Sequence, residues 1–237
     1  LAQSRLCTKL FASPGNPGIA EHAELVSLDL EDHGKVSAFC DAKGIGLVVI
    51  GPEAPLVDGL SDSLRGAGFP VFGPSKAAAQ LEGSKAFTKE LCARHGIPTA
   101  AFRRVTSEAE GLAALDSFPI PVVIKADGLA AGKGVLVTHD RDAAVAHASH
   151  YLTQGSVLIE EFLDGQEVSL FMFADGHDVL PLSPAQDFKR LKDNDEGPNT
   201  GGMGAYSPLP WLADQFGSED AFVTEVIETD QRRLDRT

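Results

Sequence analysis

The sequence predicts an α/β protein in two blocks, on three observations. Short apolar runs alternate with helical patterns through residues 6–72, LVVI (47–50) and PVF (70–72) being bounded by glycines. A helical pattern over 84–95 stops at Gly96, with Pro98 beyond it. Two strand-like runs, PVVIK (121–125) and VLVT (135–138), then flank a Gly-rich loop. The first alternation argues for parallel βαβ units with helices packed on the sheet. The second block reads as a smaller α+β unit.

Taken in order, LVVI and PVF are the strands and residues 56–67 the helix between them. In open sheets of this kind ligands meet the loops after the strands, and GPEAPL (51–56) falls there, with Gly51, Pro52 and Glu53 leading. Gly96 is a helix stop and Pro98 prevents continuation, so a domain boundary is expected near this helix. A strand over 100–104, a helix from about Ser107 and a helix over 141–152 frame the Gly-rich hairpin. SVLIEEFL (156–163) and EVSLFMF (167–173) read as paired strands about an Asp164-Gly165 turn. Residues 183–210 show little periodicity and many Gly, Pro, Asn and Asp, the composition of a long functional loop. Residues 216–230 read as a solvated amphipathic helix.

Composition narrows the function. The chain of 237 residues has 43% hydrophobic residues and a formal net charge of −14, which opposes broad attraction to nucleic acid or anionic membranes. Any anionic ligand therefore needs a local basic or amide-lined site. Cys7, Cys40 and Cys92 are odd in number and far apart, so no disulfide framework or CxxC site is expected, and a reducing cytoplasm fits. No apolar run approaches the ~20 residues of a membrane span, and the opening lacks a signal peptide's apolar centre. His147 and His150 lie three apart on a helix, but without a Cys or carboxylate around them solvent exposure is the expectation. Cys92 is read as a packing residue.

Three motifs carry chemistry. In DGLAAGKG (127–134), glycines let the backbone approach a phosphate while Lys125 and Lys133 offset its charge. It is not a Walker A loop: three residues separate the glycines, Gly134 stands where Ser or Thr would hold magnesium, and a strand follows instead of a helix. In IEEFLDGQE (159–167), a strand can present its backbone to an adenine edge, Phe162 and Leu163 can cover the ring, and Glu167 can accept from ribose hydroxyls. An acidic edge strand that resists aggregation has the same composition. In GPNTGGMGAYSP (197–208), preceded by DFKR (187–190), amides and short polar groups surround Lys189 and Arg190. A flexible surface loop is the alternative.

GPEAPL, QLEGSKAFTK, VIKADGLAAGKGV, IEEFLDG and GPNTGGMGAYSP follow one another in the order found in glycinamide ribonucleotide synthetases, also called phosphoribosylamine–glycine ligases. The chain resembles that family up to about Leu209. The resemblance implies a Rossmann-like domain over 1–82 lacking its first strand, then an ATP-grasp domain over 83–237, incomplete at its end, with a mobile lid lobe near 102–162. It implies ATP-dependent joining of glycine to 5-phosphoribosylamine through a glycyl phosphate, giving glycinamide ribonucleotide, ADP and phosphate. Residue by residue, it implies that Lys85, Lys125, Gly132, Lys133 and Gly134 hold ATP phosphates. Glu160, Glu161, Phe162 and Leu163 resemble the adenine linker and Glu167 the ribose ligand. Gly51, Pro52, Glu53, Asp187, Lys189, Arg190, Asn199, Thr200, Gly201, Gly202 and Met203 are expected at the substrate, with Lys125 and Arg190 catalytic.

ATP and magnesium or manganese are the implied cofactors. The family's metal-binding Glu and Asn are expected beyond Thr237 and its first Gly-rich turn before Leu1. No metal ligand is therefore assigned here, and this chain alone is expected to be an incomplete ligase. The resemblance also implies that the passage 154–156 is shorter than in most relatives, where an additional loop is expected. Another ATP-grasp carboxylate–amine ligase, or a non-catalytic nucleotide-binding module, remains the alternative.

Overall fold

The computed structural model describes residues 1–129, 134–175, 177–194 and 196–234. The chain divides into two compact units, Leu1–Gly83 and Ser84–Thr237.

In the first unit, β1 (Phe11–Ala12) pairs in parallel with β2 (Glu24–Leu25). Helix α1 (His33–Lys43) starts at Asp32, whose carboxylate accepts from the Lys35 amide, and stops at Gly44 in the left-handed region. Strand β3 (Val48–Val49) then pairs in parallel with β4 (Val71–Phe72). The crossover between them is two helices, α2 (Glu53–Asp58) and α3 (Leu60–Gly66), where the sequence suggested one over 56–67. Two effects account for the difference. Pro55 lies in the first turn of α2, where its missing N–H has no intrahelical partner to lose, so the helix begins earlier. Gly59, at φ 101°, then ends α2 before α3 starts. Helix α4 (Lys76–Gly83) closes the unit. Val36, Cys40, Ile50, Leu56, Leu60, Leu64 and Ala79 form its core.

The second unit opens with α5 (Lys85–His95), capped by the Ser84 hydroxyl on the Phe87 amide and stopped at Gly96. It continues through β5 (Phe102–Val105), α6 (Glu108–Ser117), β6 (Val122–Ala126), β7 (Val135–Thr138), α7 (Arg141–Leu152) and β8 (Val157–Glu161). The four strands form an antiparallel sheet in the order β5-β8-β6-β7. β6 and β7 are the strands expected around the Gly-rich loop. Val105, Val122, Ile124, Val157 and Ile159 share a core with Ala114 and Leu115 of α6 and Ala144 and Ala148 of α7. Since side chains alternate along a strand, Val123, Lys125, Leu158 and Glu160 point to the opposite face.

Beyond β8, strand β9 (Met172–Ala174) pairs with β10 (Val179–Pro181). The expected pairing of 156–163 with 167–173 does not form: β5 and β6 occupy both edges of β8, leaving no ladder for a following strand. The stretch 183–210, expected to be irregular, contains β11 (Gln186–Lys192) and β12 (Glu196–Tyr206), paired antiparallel with two register shifts. The glycines of β12 erase the side-chain alternation by which a strand is recognised, while backbone pairing needs no side chain. Helices α8 (Pro210–Phe216) and α9 (Glu219–Leu234) follow, and Leu209, Leu212 and Phe222 form a further core. The helix expected over 216–230 thus begins after a break at Gly217.

Candidate functional site

The antiparallel register of β6 and β8 sets Val123 opposite Glu160 and Lys125 opposite Leu158. Lys125 and Glu160 therefore meet on the sheet face turned away from α6 and α7, and Lys125 Nζ lies 2.9 Å from Glu160 Oε2. Lys89, on α5, reaches the same oxygen at 3.0 Å. It also donates to Thr99 Oγ1 at 2.8 Å and to the Ala100 carbonyl at 3.1 Å. Glu160 is 2% exposed, and its Oε1 is buried without a hydrogen-bond partner. A carboxylate so removed from water needs charge partners. Two ammonium groups on one carboxylate leave the trio with a net positive charge.

One turn before Lys89, Lys85 Nζ donates to the Gly128 carbonyl at 2.7 Å, at the start of the Gly-rich loop. Asp127 fixes that start. It accepts from Ser84 Oγ, Ser156 Oγ and the amides of Ala86 and Gly128 at 3.0–3.2 Å. Burial alone pushes its pKa up, but the hydrogen bonds from the Ala86 amide, Ser156, the Gly128 amide and Ser84 outweigh it and leave the pKa lowered. One carboxylate thus ties the end of β6 to the starts of α5 and β8. Of the loop itself, Gly132 and Lys133 lie outside the described residues. Gly134 is buried, and its carbonyl accepts from the Ala126 amide at 2.8 Å and lies 3.5 Å from His147 Nε2.

At the end of β8, Glu161 folds back on β5's approach. Its Oε1 accepts from the Ala101 amide at 2.7 Å and its own amide donates to the Ala101 carbonyl at 3.0 Å. Phe162 and Leu163 are exposed.

Glu167 forms an ion pair with Lys189, which also lies 3.4 Å from Asp187. The structure thus joins residues that the sequence assigned to different ligands. Burial lowers the Lys189 pKa, while the hydrogen bond to Glu167 and the charges of Glu167 and Asp187 raise it further and prevail. Asp187 Oδ1 is buried without a partner. Arg190 donates to the Gly197 carbonyl at 2.7 Å and faces Asn199 across the ladder. Thr200 Oγ1 donates to the Lys189 carbonyl at 2.8 Å and accepts from the Gly202 amide at 3.0 Å. Gly201 and Met203 lie on β12, with Met203 exposed. Among the described residues, no hydrogen bond or ion pair joins this group to the Lys125 trio. Gly51, Pro52 and Glu53 belong to the first unit, at the turn from β3 into α2.

Sequence reasoning assigned no role to Lys89, Asp127, Ser84 or Ser156. The available signal was the spacing of Lys85 and Lys89, four apart on one helix and so on one face. Among the described residues no group of three or more His, Cys, Asp or Glu is placed to hold a metal ion.

Comparison with known proteins gives this geometry a family. The model of the phosphoribosylglycinamide synthetase N domain matches residues 1–82, and that of the phosphoribosylglycinamide synthetase ATP-grasp (A) domain matches residues 83–235. A phosphoribosylamine–glycine ligase of Leifsonia xyli subsp. xyli is 60% identical over 221 residues, covering 93% of this chain and 52% of that protein. One of Streptomyces coelicolor is 56% identical over 222 residues, covering 94% and 51%. The crystal structure of a phosphoribosylamine–glycine ligase from Thermotoga maritima superposes with a TM-score of 0.68 at 29% identity, over 92% of this chain and 55% of that one. The chain spans about half the length of the curated relatives it matches. It belongs to the phosphoribosylglycinamide synthetase family, as an N domain followed by an ATP-grasp domain.

Proposed function

We propose that the protein carrying this chain joins glycine to 5-phosphoribosylamine at the expense of ATP, giving glycinamide ribonucleotide, ADP and phosphate. Identity of up to 60% to proteins named phosphoribosylamine–glycine ligase carries this reading. The trio at Glu160 supports the place of the nucleotide: its surplus positive charge suits phosphate, and the unpartnered Oε1 suits a hydrogen-bond donor on a base.

In this reading Lys85 and Lys125, with Gly132, Lys133 and Gly134, hold phosphates. Residues 160–163 lie along adenine, and Glu167 meets the ribose. Asp187, Lys189, Arg190, Asn199, Thr200, Gly201, Gly202 and Met203 receive the glycine and phosphoribosylamine end; Gly51, Pro52 and Glu53 are separate candidates for substrate contact in the first unit. Residues 102–162 act as the lid lobe.

The chemistry explains the demand for cations. A glycine carboxylate oxygen attacks the γ-phosphorus, the bond to ADP breaks, and glycyl phosphate forms. The amine of phosphoribosylamine then attacks its carbonyl carbon; phosphate leaves and the amine loses a proton. Lys125 and Arg190 offset charge as anions meet and hold the reacting groups in line. Exclusion of water protects the acyl phosphate. Magnesium or manganese would add a Lewis acid at the phosphates, although the described residues offer it no cluster of His, Cys, Asp or Glu ligands. Free Cys7, Cys40 and Cys92 suit a reducing cytoplasm, and no described helix is long and apolar enough to cross a membrane.

ADP release measured with each substrate omitted in turn tests the proposal. Release should require both glycine and phosphoribosylamine and be matched by glycinamide ribonucleotide. Equal release with a different acid and amine would reassign the substrates.

A further inference from the structure

Glu160 takes both of its ammonium contacts on one oxygen, yet the two lysines are held very differently. Lys89 is 8% exposed and its three donors meet three acceptors: Thr99 Oγ1, the Ala100 carbonyl and Glu160 Oε2. It has nothing left for a ligand. The side chain of Lys125 is 30% exposed, and among the described residues Glu160 is its partner. One carboxylate needs one counter-charge, and Lys89 is the ammonium committed to that task.

We propose that Lys89 is a positioning residue: by neutralising Glu160 from the buried side it leaves the charge of Lys125 to an incoming phosphate. The inference rests on the assignment of this group to the nucleotide. Without Lys89, buried Glu160 would bind Lys125 as a neutral pair, and an anion arriving there would meet no net charge. Lys89 would then govern affinity for phosphates that it never touches.

Rescue separates this role from a merely structural one. ATP and adenosine affinities are measured by calorimetry for the wild-type chain, Lys89→Met, Glu160→Gln and the double variant. The ratio of the two affinities isolates the phosphates and cancels any effect of Glu160 on the base. Lys89→Met should lower that ratio by about tenfold or more, the scale of a charge-assisted hydrogen bond. Adding Glu160→Gln should restore it to within about threefold of wild type, since the carboxylate that captured Lys125 is gone.

An unchanged ratio in Lys89→Met, or equal loss in the single and double variants, overturns the proposal. If Lys89→Met does not fold, Lys89→Arg and the double variant decide. Both should keep the wild-type ratio, and loss in either overturns the proposal. A wild-type chain that binds neither ligand overturns the nucleotide assignment and this inference with it, whereas intact binding with failed rescue overturns this inference alone.

Discussion

A cation at the edge of a buried carboxylate is held ready without being used up, and Lys125 is placed in this way beside Glu160. Lys125→Ala should weaken ATP binding by about 1–3 kcal/mol, the worth of a hydrogen bond between charged groups. Unchanged affinity by calorimetry in a folded variant would remove Lys125 from the site. Arg190 spends one donor on the Gly197 carbonyl and has a planar fork of others. Arg190→Ala should therefore raise KM for phosphoribosylamine or lower kcat, with little change in ATP affinity; the reverse pattern would move the residue to the nucleotide. Asp127 gives a pH signature. Its folded pKa lies below the ordinary 3.8, so its contribution to stability is complete above that value and is lost as pH falls through the lowered one. Urea unfolding should show a constant stability gap between wild type and Asp127→Asn above about pH 5 that shrinks below about pH 4. A gap that stays flat down to about pH 3 would contradict the bonding described. Lys125 was legible as a candidate because it ends the strand before the Gly-rich loop, whereas Lys85 became one only through the family resemblance. Lys89 was not, because a helical lysine is ordinarily solvated and only the tertiary fold buries this one.

Among the elements, the break at Gly59 is the clearest local device. The residue has φ 101°, and a Cβ there would lie 3.1 Å from Lys76 Cδ. Gly59→Ala should cost about 1–2 kcal/mol in denaturant unfolding, chiefly from the left-handed backbone. A neutral result would mean that the α2–α3 junction relaxes. Signals confined to a few residues were legible: Gly96 stops a helix, and the strands around the Gly-rich loop pair as β6 and β7. Signals that depend on what else occupies an edge were not. Nothing in EVSLFMF states that both sides of β8 are already taken. Nor does GPNTGGMGAYSP reveal a strand, since the pairing of β11 with β12 is carried by backbone bonds, the reach of Arg190 to the Gly197 carbonyl and the stacking of Phe188 on Tyr206.

On the scale of the chain, each unit has its own core: Leu64 is fully buried in the first and Ile124 in the second. Leu64→Ala and Ile124→Ala should each cost about 2–5 kcal/mol and shift different unfolding transitions. A single transition displaced equally by both would show that the units unfold as one. The net charge of −14 sits beside a local positive centre, so the local basic site that an anionic ligand would need on this chain is offered by the ammonium groups of Lys89 and Lys125. The sheet β5-β8-β6-β7 also limits how such a chain can change in length. Its ionic groups and its aliphatic core lie on opposite faces of the same strands, one residue apart. Deleting a single residue inside β6 or β8 would turn Lys125 or Glu160 into the layer filled by Ile124 and Ile159 and bring isoleucine to the site. The link 153–156 carries no such parity. Length variation among relatives of this lobe should therefore gather in its connections, while strand length stays fixed by the need to keep charge on one side and oil on the other.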